Sequence, residues 1–259
     1  MTCELRLGRW QEVLAEETCD TFVSDPPYSE RVHTAQRQGR RQTGAGYRGR
    51  AAARAAQTTA EVVGGSDVGN TITTKDLGYA SIDTADVREL VQHWSPRTRG
   101  WMCLFTSHDL VPVYTSALEE VGRYVFAPLS CVQTGMNVRL AGDGPSNWTT
   151  WLVVARPRTL RAWGALPGAY VGTPNDPGLG YERVPGGKPL WLMRAVVRDY
   201  SRAGDVVCDP YGGGATTLLA ARHEGRSAIG AEMDAERYAL AQRNLTRPYS
   251  LSLFGGGGS

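Results

Sequence analysis

Residues 205–217, D-V-V-C-D-P-Y-G-G-G-A-T-T, limit the possible folds more than any other stretch of the chain. A short apolar run ends in an acid, three glycines follow, and helix-forming residues then take over at once. Gly212, Gly213 and Gly214 let the backbone turn sharply and approach a ligand closely. Ser227 to Glu232 reads as the next strand and ends in a second acid. Glu232 lies about 20 residues beyond the first glycines, where a carboxylate can accept both hydroxyls of a ribose. Strand, glycine turn, helix and acid-ended strand together suit an adenosine moiety. The third glycine of a dinucleotide fingerprint is replaced by Thr217, and there is no G-K-[ST], so the ligand need not carry a pyrophosphate. The alternative is a tight strand-to-helix turn with an incidental acid.

The rest of the chain alternates in the same way. Strands are expected at Glu4 to Leu7 and Asp20 to Ser24, with a small helix near Trp10 to Ala15 between them. A helix capped by Thr84 carries Val87, Leu90, Val91 and Trp94 at helical spacing. Strand Gly100 to Thr106, a helix over 111–120 ended by Gly122, and strands Tyr124 to Val132 and Trp148 to Ala155 follow. The stretch between the last two reads as a long hairpin loop. Residues 156–187 are rich in Pro and Gly, and no regular structure is expected there. A helix starts near Pro189, and a last one spans Asp234 to Leu245. This order implies an α/β fold: a mostly parallel twisted sheet with helices on both faces and an antiparallel hairpin at one edge.

A second motif follows the strand at 20–24: S-D-P-P-Y, Ser24 to Tyr28. Two prolines remove two backbone donors and fix two φ angles, and each pushes the residue before it out of the helical region. Asp25-Pro26-Pro27-Tyr28 is therefore a stiff extended ledge that holds an acid and an aromatic ring at a fixed separation. Alone, it is also an ordinary turn after a strand.

With 259 residues, 41% of them hydrophobic, the chain has enough material for one α/β domain of ordinary size. No stretch reaches the roughly 18–20 apolar residues of a membrane helix, and the N-terminus shows no signal core. Five cysteines without C-x-x-C spacing point to a reducing cytoplasm, without disulfides or structural zinc. They read as small core residues, and the four histidines form no metal-ligand spacing. Seven arginines (31, 37, 40, 41, 48, 50 and 54) lie between Arg31 and Arg54 with no acid among them. Residues 29–75 thus read as an arginine-rich mobile loop. That composition suits the phosphates of a polyanion, or equally a solvated insertion without a partner. Residues 255–259, GGGGS, are linker-like and excluded from the domain, which is expected to run from 1 to 254.

Taken together, S-D-P-P-Y, then K-P-L-W-L-M-R at 188–194, then D-P-Y-G-G-G-A-T-T and I-G-A-E resemble the S-adenosylmethionine-dependent DNA amino-methyltransferases. The order is the permuted one called β class, with the catalytic motif before the cofactor motif. The match is close over 20–28 and 188–245, looser over 84–155, and absent across 29–75 and 156–187. Tyr211 stands where the family usually has Phe, and Ala215 where it usually has its second loop glycine.

The resemblance implies a Rossmann-like methyltransferase fold and S-adenosyl-L-methionine as cofactor. Catalytic roles fall to Asp25, Pro26, Pro27 and Tyr28. Cofactor contacts fall to Lys188, Asp209, Tyr211, Gly212, Gly213, Gly214, Thr216, Thr217 and Glu232. It also implies methylation of an exocyclic amino group on a flipped base in double-stranded DNA. D-P-P-Y goes more often with adenine N6 than with cytosine N4, which is the alternative. A non-catalytic DNA- or cofactor-binding subunit on the same fold is the other alternative. DNA contacts are expected from Arg31, Arg37, Arg40, Arg41, Arg48 and Arg50. Arg156, Arg158 and Arg161 would add contacts from a small target-recognition region at 156–187. So small a reader suggests a homodimer, and the tail ending L-S-L-F suggests a weak sliding-clamp contact.

Overall fold

The computed structural model describes residues 1–29, 81–136, 145–160, 162–176 and 181–247. Nine strands of one sheet are found among them. They are β1 (Cys3–Leu7), β2 (Thr21–Ser24), β3 (Met102–Thr106), β4 (Tyr124–Val125), β5 (Leu129–Gln133), β6 (Thr149–Arg156), β7 (Ala169–Gly172), β8 (Val206–Asp209) and β9 (Ser227–Glu232). The order across the sheet is β1-β9-β8-β2-β3-β6-β5-β7, and β4 also pairs with β6. From β1 to β3 every pairing is parallel. The pairings of β6 with β3, β4 and β5 are antiparallel. This is the mixed, mostly parallel sheet expected from the strand–helix alternation.

Period-two alternation along the central strands feeds two cores. Val23, Cys103, Phe105 and Val207 face one layer, built from helices α4 (Leu190–Tyr200) and α5 (Thr216–His223). Phe22, Met102, Leu104 and Cys208 face the other, built from α1 (Trp10–Val13), α2 (Thr84–Trp94) and α3 (Val111–Glu120). A sixth helix, α6 (Ala235–Thr246), packs on β1 and β9. Strands buried on both faces explain why their sequences read as continuous apolar runs. Four of the five free cysteines are buried in these layers, as small core residues.

Three elements differ from the sequence expectation. Asp83, not Thr84, caps α2: its carboxylate accepts from the amides of Ala85 and Asp86, and the Asp86 side chain accepts from the Asp83 amide. Carboxylates outrank threonine at this position, and two acids three apart close a reciprocal box. The strand expected from Tyr124 to Val132 is broken into β4 and β5. Val125 faces Ala155 and Leu129 faces Leu152, so four steps on one side meet three on the other. That is a bulge, and Pro128 within it has no amide to give the ladder. Finally, β7 lies inside the 156–187 region and pairs parallel to β5, outside the hairpin. Its side is fixed by distant partners: Trp163 Nε1 donates to the Asp199 carbonyl (2.7 Å), and the Tyr170 hydroxyl donates to the Asp199 carboxylate (2.9 Å).

Candidate active site

The parallel pairing of β2 with β8 decides where the chemistry sits. Thr21 faces Val207 and Phe22 faces Cys208, so both strands end together. S-D-P-P-Y leaves one carboxyl end, and D-P-Y-G-G-G leaves the other. The Ser24 hydroxyl donates to Asp209 Oδ1 at 2.6 Å, across 185 positions of sequence. The carboxyl ends of adjacent parallel strands are where open α/β sheets bind ligands. A cavity of about 420 Å³ opens here. Its walls include Asp25, Pro26, Pro27, Tyr28, Lys188, Asp209, Tyr211, the three glycines, Thr216, Thr217 and Glu232. All thirteen residues expected at the catalytic and cofactor sites thus line one pocket.

The glycine loop is shaped from within. A Cβ on Gly212 would meet Leu5 Cδ1 at 2.7 Å and the Ala231 carbonyl oxygen at 3.1 Å. The sheet itself, therefore, requires glycine at 212. Gly213 has φ +54°, and Ala215 has φ +66°, the left-handed region that costs a residue with a Cβ about 1–2 kcal/mol. Ala215 thus adopts a conformation that favours glycine. Asp209 is almost fully buried and accepts from Ser24, from the Tyr211 amide (3.0 Å) and from the Thr217 hydroxyl. Burial pushes its carboxyl up to about 6, against those three hydrogen bonds. Although it lines the cavity, Asp209 serves as a brace between β2, β8 and α5.

Glu232 ends β9 with one carboxylate oxygen on the Gly213 amide (2.9 Å) and the other on the Asp234 amide (2.8 Å). Burial raises its pKa. Each oxygen keeps a lone pair free, so the carboxylate can also receive ribose hydroxyls. The Tyr211 hydroxyl accepts from Trp10 Nε1 at 3.2 Å, which fixes the ring against the pocket wall.

The ledge is organised differently. Asp25 Oδ1 accepts from the Tyr28 hydroxyl at 3.0 Å, and Oδ2 pairs with Lys188 Nζ at 2.6 Å. The Lys188 ammonium also lies over the Tyr28 ring, 5.0 Å from its centroid. The structure therefore places Lys188, assigned to the cofactor by its motif, on the acid of the other motif. Burial, then the nearby Asp25 charge, holds the Tyr28 hydroxyl well above its ordinary pKa. The Ile82 amide donates to the Tyr28 carbonyl (3.2 Å), and Ser81 and Ile82 line the cavity.

The same cavity is also lined by residues that the motifs do not name: Trp10, Ile82, Asp86, Val184 and Met233 among them. Of these, Met233 directly follows Glu232 and Val184 lies four residues before Lys188, so both had a local signal. Of the arginines expected on DNA, Arg158 is exposed. Arg156 is turned inward: its guanidinium donates to the Pro157 and Leu160 carbonyls and stacks over Tyr124 and Phe126. Arg31, Arg37, Arg40, Arg41, Arg48, Arg50 and Arg161 lie outside the described residues, as does the tail from 248.

Residues 159–243 match the family model described as DNA methylase, of the N6/N4 type. That segment, less than half of the chain, is similar to the family. The matched segment holds Lys188, the glycine loop and Glu232. No curated protein matches the sequence. Solved structures do match in fold. M1.HpyAVI in complex with SAM superposes with a TM-score of 0.64 at 17% identity, covering 95% of this chain and 100% of that one. The PvuII DNA methyltransferase (cytosine-N4-specific) gives 0.61 at 14% identity, covering 95% and 87%. TTHA0409 from Thermus thermophilus, complexed with S-adenosyl-L-methionine, gives 0.54 at 18%, covering 93% and 92%. At these identities the likeness is one of fold. S-adenosyl-L-methionine is the cofactor of the methylase family, and the residues present fit it: a glycine cradle, a carboxylate for a ribose and the Tyr211 ring share one cavity.

Proposed function

We propose that this protein is a DNA methyltransferase that transfers the methyl group of S-adenosyl-L-methionine to the exocyclic N6 amino group of adenine in double-stranded DNA. The observation that carries this reading is the shared cavity: Asp25-Pro26-Pro27-Tyr28 and Gly212-Gly213-Gly214 with Glu232 line the same space. When bound, the cofactor supplies an electrophilic methyl group. The chain's task is to make a poor nucleophile attack it. An exocyclic amino lone pair is delocalised into the ring. The Asp25 carboxylate and the Pro26 carbonyl accept the two amino hydrogens, which localises that lone pair and stabilises the positive charge growing on nitrogen. Charge-assisted acceptors are roughly twice as strong as neutral ones, so Asp25 does most of this. Pro26 and Pro27 keep both acceptors fixed in advance. The Tyr28 ring stacks on the base, worth about 1–3 kcal/mol, and helps offset the few kcal/mol that flipping it out of the duplex costs.

No covalent enzyme intermediate is needed. None of the five cysteines lines the cavity, which supports attack by the amino group itself over a cysteine-assisted attack at a ring carbon. Asp25 rather than Ser in the ledge favours adenine. The chain leaves the ledge at Ser29 and returns at Ser81, beside the cavity, so the arginine-rich stretch between them starts and ends at the site. We assign it to phosphate contacts. The small region at 156–187 reads the target sequence, with a second copy of the chain completing the reader.

Incubation with unmethylated genomic DNA and the cofactor, followed by nucleoside mass spectrometry, tests this. N6-methyladenine is expected. N4-methylcytosine would move the target to cytosine, and no methylated nucleoside from any DNA would favour the non-catalytic subunit.

A further inference from the structure

Among the acids lining the cavity, Asp25 is distinguished by what holds it. The oxygens of Asp209 are taken by Ser24, Tyr211 and Thr217, and those of Glu232 by two backbone amides. Asp25 is instead held by a cation, Lys188, at 2.6 Å, and the Lys188 side chain is only 6% exposed. Lys188 sits at the end of the segment Val184–Lys188, which lines the cavity. At the start of that segment, Val184 packs on the glycine loop: a Cβ on Gly214 would meet Val184 Cγ1 at 3.3 Å. Just beyond it, Asp176 accepts from the Leu190 and Trp191 amides (2.8 and 3.0 Å) and so caps α4, whose own N-cap, Pro189, has no side-chain acceptor. Lys188 is therefore anchored on both sides and delivered to the acid.

An ammonium buried against the acid has a physical consequence for a cavity that receives a cationic donor. An unpaired carboxylate would attract the sulfonium of the resting cofactor and stabilise the ground state. Such binding adds affinity without rate. Asp25 is useful only when charge has moved to the amino nitrogen.

We propose that Lys188 is a positioning residue that acts through Asp25. It orients the carboxylate and balances its charge, so that Asp25 stays available to the amino group and is not captured by the donor. This rests on the function proposed above, and it departs from the direct cofactor contact expected of Lys188 from its motif.

Calorimetric binding of S-adenosylmethionine (cationic) and S-adenosylhomocysteine (its neutral product) tests it without DNA or turnover. For Lys188→Met, preference for the cationic over the neutral ligand is expected to rise about fivefold, the scale of a partly buried charge interaction. Asp25→Asn is expected to shift that preference by a similar factor in the opposite direction, and it serves as the second arm if the Met variant does not fold. In methyl transfer, Lys188→Met should lose about tenfold or more in kcat, as expected when a charged hydrogen-bond partner of the acid is removed. Equal weakening of both ligands would make Lys188 a plain cofactor contact and overturn the inference. So would an unchanged preference in both variants. A wild-type protein that binds neither ligand would overturn the proposed function along with it.

Discussion

The two turns at the carboxyl ends of β2 and β8 reach the same cavity by opposite constructions. The glycine loop after β8 is shaped by its own neighbourhood. Gly212 is packed against Leu5 and Ala231, Asp209 ties the Tyr211 amide and Thr217, and Glu232 holds the Gly213 amide. The proline ledge after β2 is stiff by sequence, yet its acid is oriented from afar, by Lys188 across 163 positions. The glycine loop takes many of its backbone bonds from the unit it belongs to, through Asp209, Thr217 and Glu232, whereas the acid of the ledge gains its cation only when a segment far along the chain is in place. Preorganised acceptors are what the proposed methyl transfer to an amino group requires, and here the preorganisation is split between proline stereochemistry, the Tyr28 hydroxyl and one ion pair.

The comparison can be broken first at the glycine loop. Gly212→Ala should have the largest effect on the fold, about 1–3 kcal/mol of stability, because the new methyl meets a strand carbonyl that cannot yield easily. Thermal unfolding measures it, and S-adenosylhomocysteine binding should weaken in parallel.

The next effect depends on pH. Asp209 has its carboxyl pushed up to about 6 by burial, above the roughly 3.9 of an exposed aspartate. Between those values the folded protein holds more protons than the unfolded one. Asp209 therefore takes stability away as pH rises from about 4 to 6, by an amount on the order of 1–3 kcal/mol. Asp209→Asn should flatten that part of the denaturation profile, whereas an unchanged slope would show that another group carries it.

The smallest effect sharpens the contrast. Ala215→Gly relieves the left-handed strain but gives up a fully buried methyl group and adds chain entropy on unfolding. These terms oppose each other, and stability should stay within about 1 kcal/mol of wild type.

The same contrast explains what could be read from the sequence. The strand–glycine–helix–strand unit is local, and its elements, its turn and Glu232 lie where the residues predict them. Helix α4 is equally local, with its apolar stripe after Pro189. Relations set by tertiary pairing were not legible. Strand β7 has four residues and no periodicity to speak of, and its position depends on Asp199 and on β5. Lys188 carries a motif that points to a cofactor, and only the fold shows its ammonium against Asp25. Arg156 looks available on paper but spends its donors on two carbonyls of its own loop.

The central claim is that the ledge and the glycine cradle form a single site in which Asp25 acts on the methyl acceptor. Transfer of a tritiated methyl group to DNA by Asp25→Ala, with S-adenosylhomocysteine binding measured on the same preparation, tests it most directly. Transfer should fall by about 10²–10³-fold, the scale of losing one preorganised electrostatic group, while the neutral product still binds within a few-fold of wild type. Transfer at the wild-type rate would contradict the account.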